Sequence, residues 1–163
     1  MRRHEGVVSA TVIRMLGPGD EADDVGQETF VRFFNALRSF RGDAALQTYL
    51  VRIAMNLSLN ALRRRRWQIA RFLRHDSAPA SALALSEPGG QAALEGAERT
   101  ARVQEALASL DEKHRAVVVL RFFNELSTRE TAELLGIPEG TVMSRLKRAL
   151  EKLRPLLGGL EGV

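Results

Sequence analysis

The stretch from Leu126 to Leu150, LSTRETAELLGIPEGTVMSRLKRAL, constrains the fold more than any other part of the chain. Ser127 and Glu130 have the spacing of a capping box, which predicts that a helix starts at Ser127. Gly136 can adopt the positive φ angle at which many helices end, and Pro138 suits the first turn of a following helix. A short helix, a turn of about three residues and a second helix therefore follow one another, as in a helix-turn-helix.

The second helix of this stretch is amphipathic. Its inner face repeats apolar residues at helical spacing, and these are Val142, Leu146, Ala149 and Leu153. Its outer face carries hydroxyls and cations, namely Thr141, Ser144 and Arg148 flanked by Arg145 and Lys147. Short hydroxyls suit base edges, arginine suits guanine and flanking cations suit phosphates, so this face fits the major groove of DNA. A helix that only packs, with a solvated basic face, is the alternative.

The chain as a whole is predicted to be all-α. Alternation of β-branched residues is nearly absent, whereas Leu, Ala, Arg and Glu recur at spacings of three and four. The segment 75–96 holds two prolines, a Gly-Gly pair and many small residues, a composition that buries little surface. We interpret it as a flexible linker, with some helix towards Ala92–Gly96, between two small helical domains at residues 1–74 and 97–163.

Two further helices are expected in the C-terminal domain. One spans Arg99 to Leu110, and Ser109 or Asp111 is a candidate cap for the next. The strongly apolar segment Val117–Phe123 permits a strand, but its helical neighbours favour a buried helix.

The N-terminal domain shows two helical patterns, the first from about Glu21 to Ser39. Phe30, Phe33, Phe34 and Leu37 share one face, and the opposite face holds Asp24, Gln27, Glu28, Asn35 and Arg38. Acidic residues at the start complement the helix dipole. Val31 lies among these polar groups, which suits a protein-contact surface, although single exposed valines are common.

The second pattern runs from about Ala44 to Arg66. Its core stripe comprises Leu46, Tyr49, Leu50, Ile53, Leu57 and Ala61. The opposite face has Asn56, which can hydrogen-bond base edges, and Met55 or Leu59, which can lie against unstacked bases. Arg63–Arg66 places four positive charges on one turn; these mutually repelling charges favour a phosphate-binding patch over a solvated helix end.

Composition narrows the class of partner. The net charge is +4 and the pI about 10.3, which ranks nucleic acid first and a membrane surface second. Without cysteines there is no disulfide framework or cysteine-ligated metal, and neither His75 nor His114 has a ligand-spaced partner. No nucleophile–base pairing is evident, so we predict a protein that is not an enzyme and needs no cofactor. No apolar run approaches the length of a membrane span, so a cytoplasmic location without membrane insertion is expected.

Three segments together resemble the extracytoplasmic-function group of bacterial sigma factors. They are DEADDVGQETFVRFFNAL, FRGDAALQTYLVRIAMNLSLNALRRRRW and LDEKHRAVVVLRFFNELSTRETAELLGIPEGTVMSRLKRALEKLR. The resemblance implies a region 2 that binds core RNA polymerase and captures the melted -10 promoter element. It also implies a region 4 that reads the -35 element. The family further leads us to expect an inhibitory anti-sigma protein as a partner.

The resemblance also assigns residues to these roles. Polymerase binding falls to Asp23, Asp24, Gln27, Glu28, Val31 and Arg32. Contact with the -10 element falls to Phe40, Arg41, Gly42, Asp43, Arg52, Asn56, Asn60, Arg63, Arg64, Arg65 and Arg66. Contact with the -35 element falls to Ser127, Thr128, Arg129, Glu139, Thr141, Ser144, Arg145, Lys147 and Arg148.

The sequence departs from the family pattern at three positions. Tyr49 replaces the usual Trp, Asn60 stands where Asp is common, and Met143 occupies a position often held by Lys, which removes one phosphate contact. The stretch before Asp20 is short, which raises the prospect of a truncated first helix. The functional alternative is a free-standing helix-turn-helix regulator that acts without being a polymerase subunit.

Overall fold

The computed structural model describes residues 2–37, 46–74 and 91–158, and within these ranges it contains helices and no strand. The seven α-helices are α1 (Arg2–Leu16), α2 (Asp20–Ala36), α3 (Leu46–Leu73), α4 (Gln91–Ala108), α5 (Glu112–Val118), α6 (Thr128–Leu135) and α7 (Glu139–Leu157). A π-helical turn, Val119–Phe123, continues α5 without a break. The all-α prediction is confirmed.

Helices α1, α2 and α3 pack around a common core. Its centre is formed by Val12 and Met15 from α1, Phe33 from α2, and Leu50 and Ala54 from α3, all buried. The ring of Tyr49 meets Phe33 edge-on, with the ring centroids 6.1 Å apart. This arrangement of α3 against two helices fixes which of its faces remains available to a partner.

Helix α1 is a third helix where the sequence patterns showed two. Val8, Thr11, Val12 and Met15 recur at helical spacing and are buried. The Thr11 hydroxyl donates to the Val7 carbonyl at 2.7 Å, so this polar group is satisfied inside the core. The short stretch before Asp20 supplies a packing helix of 15 residues.

Helix α3 corrects two expectations. It continues seven residues past the predicted end at Arg66, to Leu73. Met55 is fully buried, so it cannot lie against unstacked bases as predicted. The buried face is wider than one stripe because α3 packs against both α1 and α2, and Val51 and Ser58 lie within it.

The C-terminal helices begin with α4 at Gln91, so the helix allowed near Ala92–Gly96 is present. Residues 75–90 of the predicted linker lie outside the described residues, and the domain bounds remain a prediction. The Asp111 side chain caps α5 by accepting from the backbone N–H groups of Lys113 and His114. The apolar segment Val117–Phe123 is helical rather than a strand.

The two groups of helices touch each other. Helix α1 packs against α4, α5 and the π-helical turn, and α3 contacts α5. The buried core is continuous across this contact, since residues of α1 and α3 cluster with residues of α4 and α5.

Candidate nucleic-acid interface

The helix-turn-helix has the local geometry that the sequence specifies. The Ser127 hydroxyl accepts from the Glu130 backbone N–H at 3.1 Å, and the Glu130 carboxylate accepts from the Ser127 N–H at 2.7 Å. Hydrogen bonds from the Ser127 side chain and backbone to the Glu130 carboxylate lower the pKa of Glu130. Gly136 ends α6 at φ 65°, a left-handed conformation that disfavours residues with a Cβ atom. Pro138 precedes α7 as its N-cap residue, one position earlier than expected.

Helix α7 presents a polar face beside a buried one. Val142, Ala149 and Leu153 are buried, and Leu146 is partly buried. On the outer face Ser144, Lys147 and Arg148 are exposed, while Thr141 and Arg145 are half-buried. The Ser144 hydroxyl donates to the Thr141 carbonyl at 3.1 Å, which orients it beside its neighbour. The structure thus brings these five predicted residues onto one accessible surface.

The other predicted -35 residues lie at the edge of this surface and make local bonds. Arg129 is exposed and forms an ion pair with Glu133 at 3.1 Å. Thr128 lies 3.7 Å from the sulfur of Met143, and Glu139 is exposed in the first turn of α7. Ser127 uses its hydroxyl to cap α6, so its first role is structural.

A second candidate surface runs along α3. Arg52, Asn56, Asn60 and Arg63 are all exposed, and at 100° per residue they fall within about 80° of one another. The Arg63 guanidinium donates to the Asn60 side-chain oxygen at 3.3 Å. Helix α3 contains no acidic residue, so this stripe is uniformly cationic and amide-bearing.

The run of four arginines does not act as one patch. Arg65 points away from the stripe, where it pairs with Glu21 and donates to the Leu16 carbonyl at 3.1 Å. Arg66 pairs with Glu112 of α5 at 2.6 Å. Arg63 and Arg64 remain exposed on the surface of α3. Two of the four predicted phosphate contacts are therefore engaged within the protein.

The polymerase-binding residues predicted on α2 share one surface. Asp23, Asp24, Gln27, Glu28, Val31 and Arg32 are all exposed. Arg32 pairs with Glu28 one turn earlier at 2.8 Å. Val31 is 53% exposed, and the neighbouring Phe34 is exposed rather than buried with Phe33. The surface combines carboxylates with an apolar centre.

Two exposed apolar features were not anticipated. Trp67 and Phe72 protrude from the final turns of α3. A groove of about 250 Å³ lies between α4, the π-helical turn and α7, with an entirely apolar lining that includes Phe122, Phe123 and Leu150. The sequence placed Phe122 in a buried run, and no local pattern marked it as exposed.

Four of the predicted -10 residues, and the questions of a metal site and a membrane-spanning helix, remain to be compared with the structure. Phe40, Arg41, Gly42 and Asp43 lie outside the described residues. Among residues 2–37, 46–74 and 91–158, no group of acidic or histidine side chains has the arrangement of a metal site. Within the same ranges no helix is long and apolar enough to span a bilayer.

An exposed helix-turn-helix on the same chain as a cationic, acid-free helix is typical of a DNA-binding protein. Comparison with known proteins gives the family. Residues 1–68 match the model of Sigma-70 region 2 and residues 106–155 match that of Sigma-70, region 4. The chain belongs to the sigma-70 family of RNA polymerase sigma factors, in its extracytoplasmic-function group.

Individual relatives agree with this assignment. The chain is 34% identical to the ECF RNA polymerase sigma factor SigW of Bacillus subtilis, over 90% of this chain and 81% of the relative. It is 32% identical to the RNA polymerase sigma-H factor of Pseudomonas aeruginosa, over 95% and 84%. The match covers both units, so the chain is a polymerase-binding sigma factor, and the free-standing regulator is disfavoured.

Solved structures show the same fold. CnrH, solved in complex with the cytosolic domain of CnrY, is 31% identical, covers 97% of this chain and 84% of its own, and superimposes with a TM-score of 0.63. The sigma factor RpoE of Bartonella quintana, solved with the anti-sigma factor NepR, covers 96% of this chain and 93% of its own, with a TM-score of 0.72 at 22% identity.

Proposed function

We propose that this sigma factor contacts the -35 element with α7, the melted -10 element with α3 and core polymerase with α2, and that it catalyses no reaction itself. The observation that carries the proposal is the pair of separate cationic surfaces on one chain, one on α7 and one on the acid-free α3. Two DNA surfaces on one polymerase subunit suit a protein that marks two promoter elements.

The α7 surface suits duplex DNA. Thr141 and Ser144 lie near the amino end of the helix, the part that reaches base edges in helix-turn-helix proteins. Arg148 lies one turn further and is exposed, so it can reach guanine or a phosphate. These positions support reading of the -35 element.

The α3 surface suits a melted strand. Asn56 and Asn60 offer amide groups to the edges of unstacked bases, and Arg52 and Arg63 flank them with positive charge. Unstacking a base costs on the order of a few kcal/mol, and these contacts must offset that cost. Phe40, Arg41, Gly42 and Asp43 keep the roles that the resemblance gives them.

The α2 surface and the apolar groove suit protein partners. Exposed carboxylates around Val31 on α2 support docking on core polymerase. CnrH forms a complex with the cytosolic domain of CnrY. By analogy, we propose that an inhibitory anti-sigma protein binds this chain, and the groove beside Phe122 and Phe123 offers it an apolar site. A cytoplasmic location follows from these partners.

Transcription in vitro tests the function. The purified chain, core polymerase and a random promoter library should give transcripts from a defined subset of templates, whereas the chain alone should bind the same duplexes weakly. Tight operator binding without polymerase, together with no transcripts, would point to the free-standing regulator.

A charge reversal tests the α2 surface. Asp24→Arg with Gln27→Ala should reduce co-purification with core polymerase, because both side chains are exposed in the proposed contact. Glu151→Arg with Gln68→Ala changes exposed residues elsewhere and should leave binding intact. Equal recovery of both variants with the enzyme would reject this contact.

A further inference from the structure

Met143 is an exposed apolar side chain within the polar outer face of α7. Its exposed fraction is 54%, so more than half of the side chain is open to solvent. At 100° per residue it lies about 40° from Lys147, and the exposed Ser144 follows it directly. Met143 belongs to the second turn of α7, and the amino-terminal residues of such a helix are those that reach base edges in helix-turn-helix proteins.

A contact from the preceding helix orients the Met143 side chain. The hydroxyl of Thr128, the first residue of α6, donates to the Met143 sulfur at 3.7 Å. A methionine side chain has three rotatable bonds and adapts to many shapes, so a contact at its sulfur favours one direction over the others. The thioether therefore lies between the start of α6 and the second turn of α7.

Gly140 leaves an open space beside Met143. It is exposed and lies between Met143 and Ser144 around the helix, about 60° from the first and about 40° from the second. A Cβ atom at Gly140 would meet no atom of the surrounding protein within 4 Å, so packing inside the protein does not require a glycine there. A position without a side chain lets a ligand approach the backbone closely. The outer face of α7 thus has a notch with a thioether on one side and a hydroxyl on the other.

The chemistry of the thioether limits the base edges that it can face. In the major groove every base presents hydrogen-bonding groups, and thymine alone adds a methyl group. Methionine has no donor, and its sulfur is a weak acceptor. Packed against the amino group of cytosine or adenine, it would remove a donor from water without replacing the lost hydrogen bond. Packed against the thymine methyl group, it removes apolar surface from water on both sides, which is favourable.

We propose that Met143 selects a thymine in the -35 element by packing its thioether against the C5-methyl group of that base. The inference rests on the proposed function, in which α7 enters the major groove. Thr128 is a positioning residue that holds the thioether in place, and Gly140 lets the base edge approach. Burying one methyl group changes an affinity by about fourfold, so thymine should be preferred over uracil at this position by about that factor.

Replacing thymine with uracil removes only the methyl group and tests the contact directly. The full chain with core polymerase, given a promoter library randomised over the -35 element, first yields the preferred sequence. Single uracil replacements are then made in that promoter, and the affinity of the holoenzyme is measured by fluorescence anisotropy. The parent should bind about fourfold more weakly when one particular thymine is replaced. Met143→Ala should show no loss at that position, because the side chain that contacts the methyl group is absent.

A change of charge separates base selection from general affinity. Met143→Lys replaces the thioether with a cation that can reach a phosphate. The library should then lose its thymine preference at one position, and the slope of log affinity against log salt concentration should steepen by about one unit. Leu156→Lys is the matched control, because Leu156 is a 53% exposed apolar residue near the other end of α7. That variant should keep the thymine preference of the parent.

The outcomes separate this contact from the proposed function. Equal uracil penalties in the parent and in Met143→Ala at every position would overturn the proposal, even if the holoenzyme selects a clear -35 sequence. The same base preferences in Met143→Lys and in the parent would overturn it as well. A holoenzyme that selects no base in the -35 element would instead reject the proposed reading by α7, and the thymine contact with it.

Discussion

Replacing Ser127 with alanine should destabilise the helix-turn-helix. The Ser127 hydroxyl accepts from the Glu130 N–H at 3.1 Å, and the reciprocal bond from the Ser127 N–H to the Glu130 carboxylate is 2.7 Å. Loss of such a cap costs about 1 kcal/mol, within a range of about 0.5–2 kcal/mol. Helix α6 has only eight residues, too few for a helix to be stable on its own, so the cap contributes a large share of its local stability.

This cost converts to a measurable change in melting temperature. For a chain of this size, a loss of about 1 kcal/mol lowers Tm by about 2–4 °C. Circular dichroism at 222 nm during heating measures it. Ser144→Ala is the matched control, because it removes an exposed hydroxyl that bonds one carbonyl inside α7 rather than a helix start. That variant should stay within about 0.5 kcal/mol of the parent.

A second substitution separates capping from DNA contact, since Ser127 is also a proposed -35 residue. Glycine at an N-cap costs only a few tenths of a kcal/mol more than serine. If Ser127 acts through the cap, Ser127→Gly should keep more stability and promoter use than Ser127→Ala. If the hydroxyl contacts DNA, both variants should lose promoter binding equally. A Tm for Ser127→Ala equal to that of the parent would refute the capping argument.

Three further predictions follow from the same geometry. Hydrogen bonds lower the pKa of Glu130; at Asp111, burial opposes the shift, but bonds to His114 outweigh it and also lower the pKa. Both carboxylates therefore stabilise the fold at pH values above their unfolded pKa values, and this stabilisation is lost as the pH falls through the lower folded pKa values. The urea midpoint of unfolding should therefore decrease below about pH 4, and it should decrease less in Glu130→Gln, which lacks one of the two carboxylates. Arg148→Ala should weaken binding to a -35 duplex by about 5- to 150-fold, with Tm unchanged, as fluorescence anisotropy and melting would show. Met55→Ala should cost about 2–5 kcal/mol in urea unfolding, whereas Asn56→Ala should keep stability and lose -10 use.

The helix-turn-helix was predictable because its instructions are local. A capping box depends on two residues three positions apart, and a helix end depends on one glycine. Ser127, Glu130 and Gly136 were therefore enough to predict where α6 begins and ends. The helical spacing of apolar and polar residues predicted the exposed face of α7 for the same reason. Each of these features depends on neighbours within one or two turns.

The residue pattern alone did not reveal helix α1, because one of its core positions is polar. Thr11 interrupts the apolar stripe, and β-branched residues such as Val8 and Val12 are not strong helix formers. Tertiary packing supplies what local propensity lacks, since Thr11 is satisfied by the Val7 carbonyl and buried against the other helices. Met55 was misplaced for a related reason: a helix packed on two sides buries more than one stripe.

The arginines show most clearly that composition does not predict which basic residues are available to bind DNA. Arg65 finds Glu21 across 44 positions, and Arg115 finds the Met15 carbonyl across 100, so no local pattern distinguishes them from Arg63 or Arg148. Guanidinium groups that bind carbonyls and carboxylates inside the protein stabilise the fold and are less available to DNA, because a phosphate would first have to displace those hydrogen bonds. Guanidinium groups left on an exposed face can release counterions from DNA at no such cost. The salt dependence of promoter binding should therefore follow the exposed arginines, and a count of basic residues overstates it.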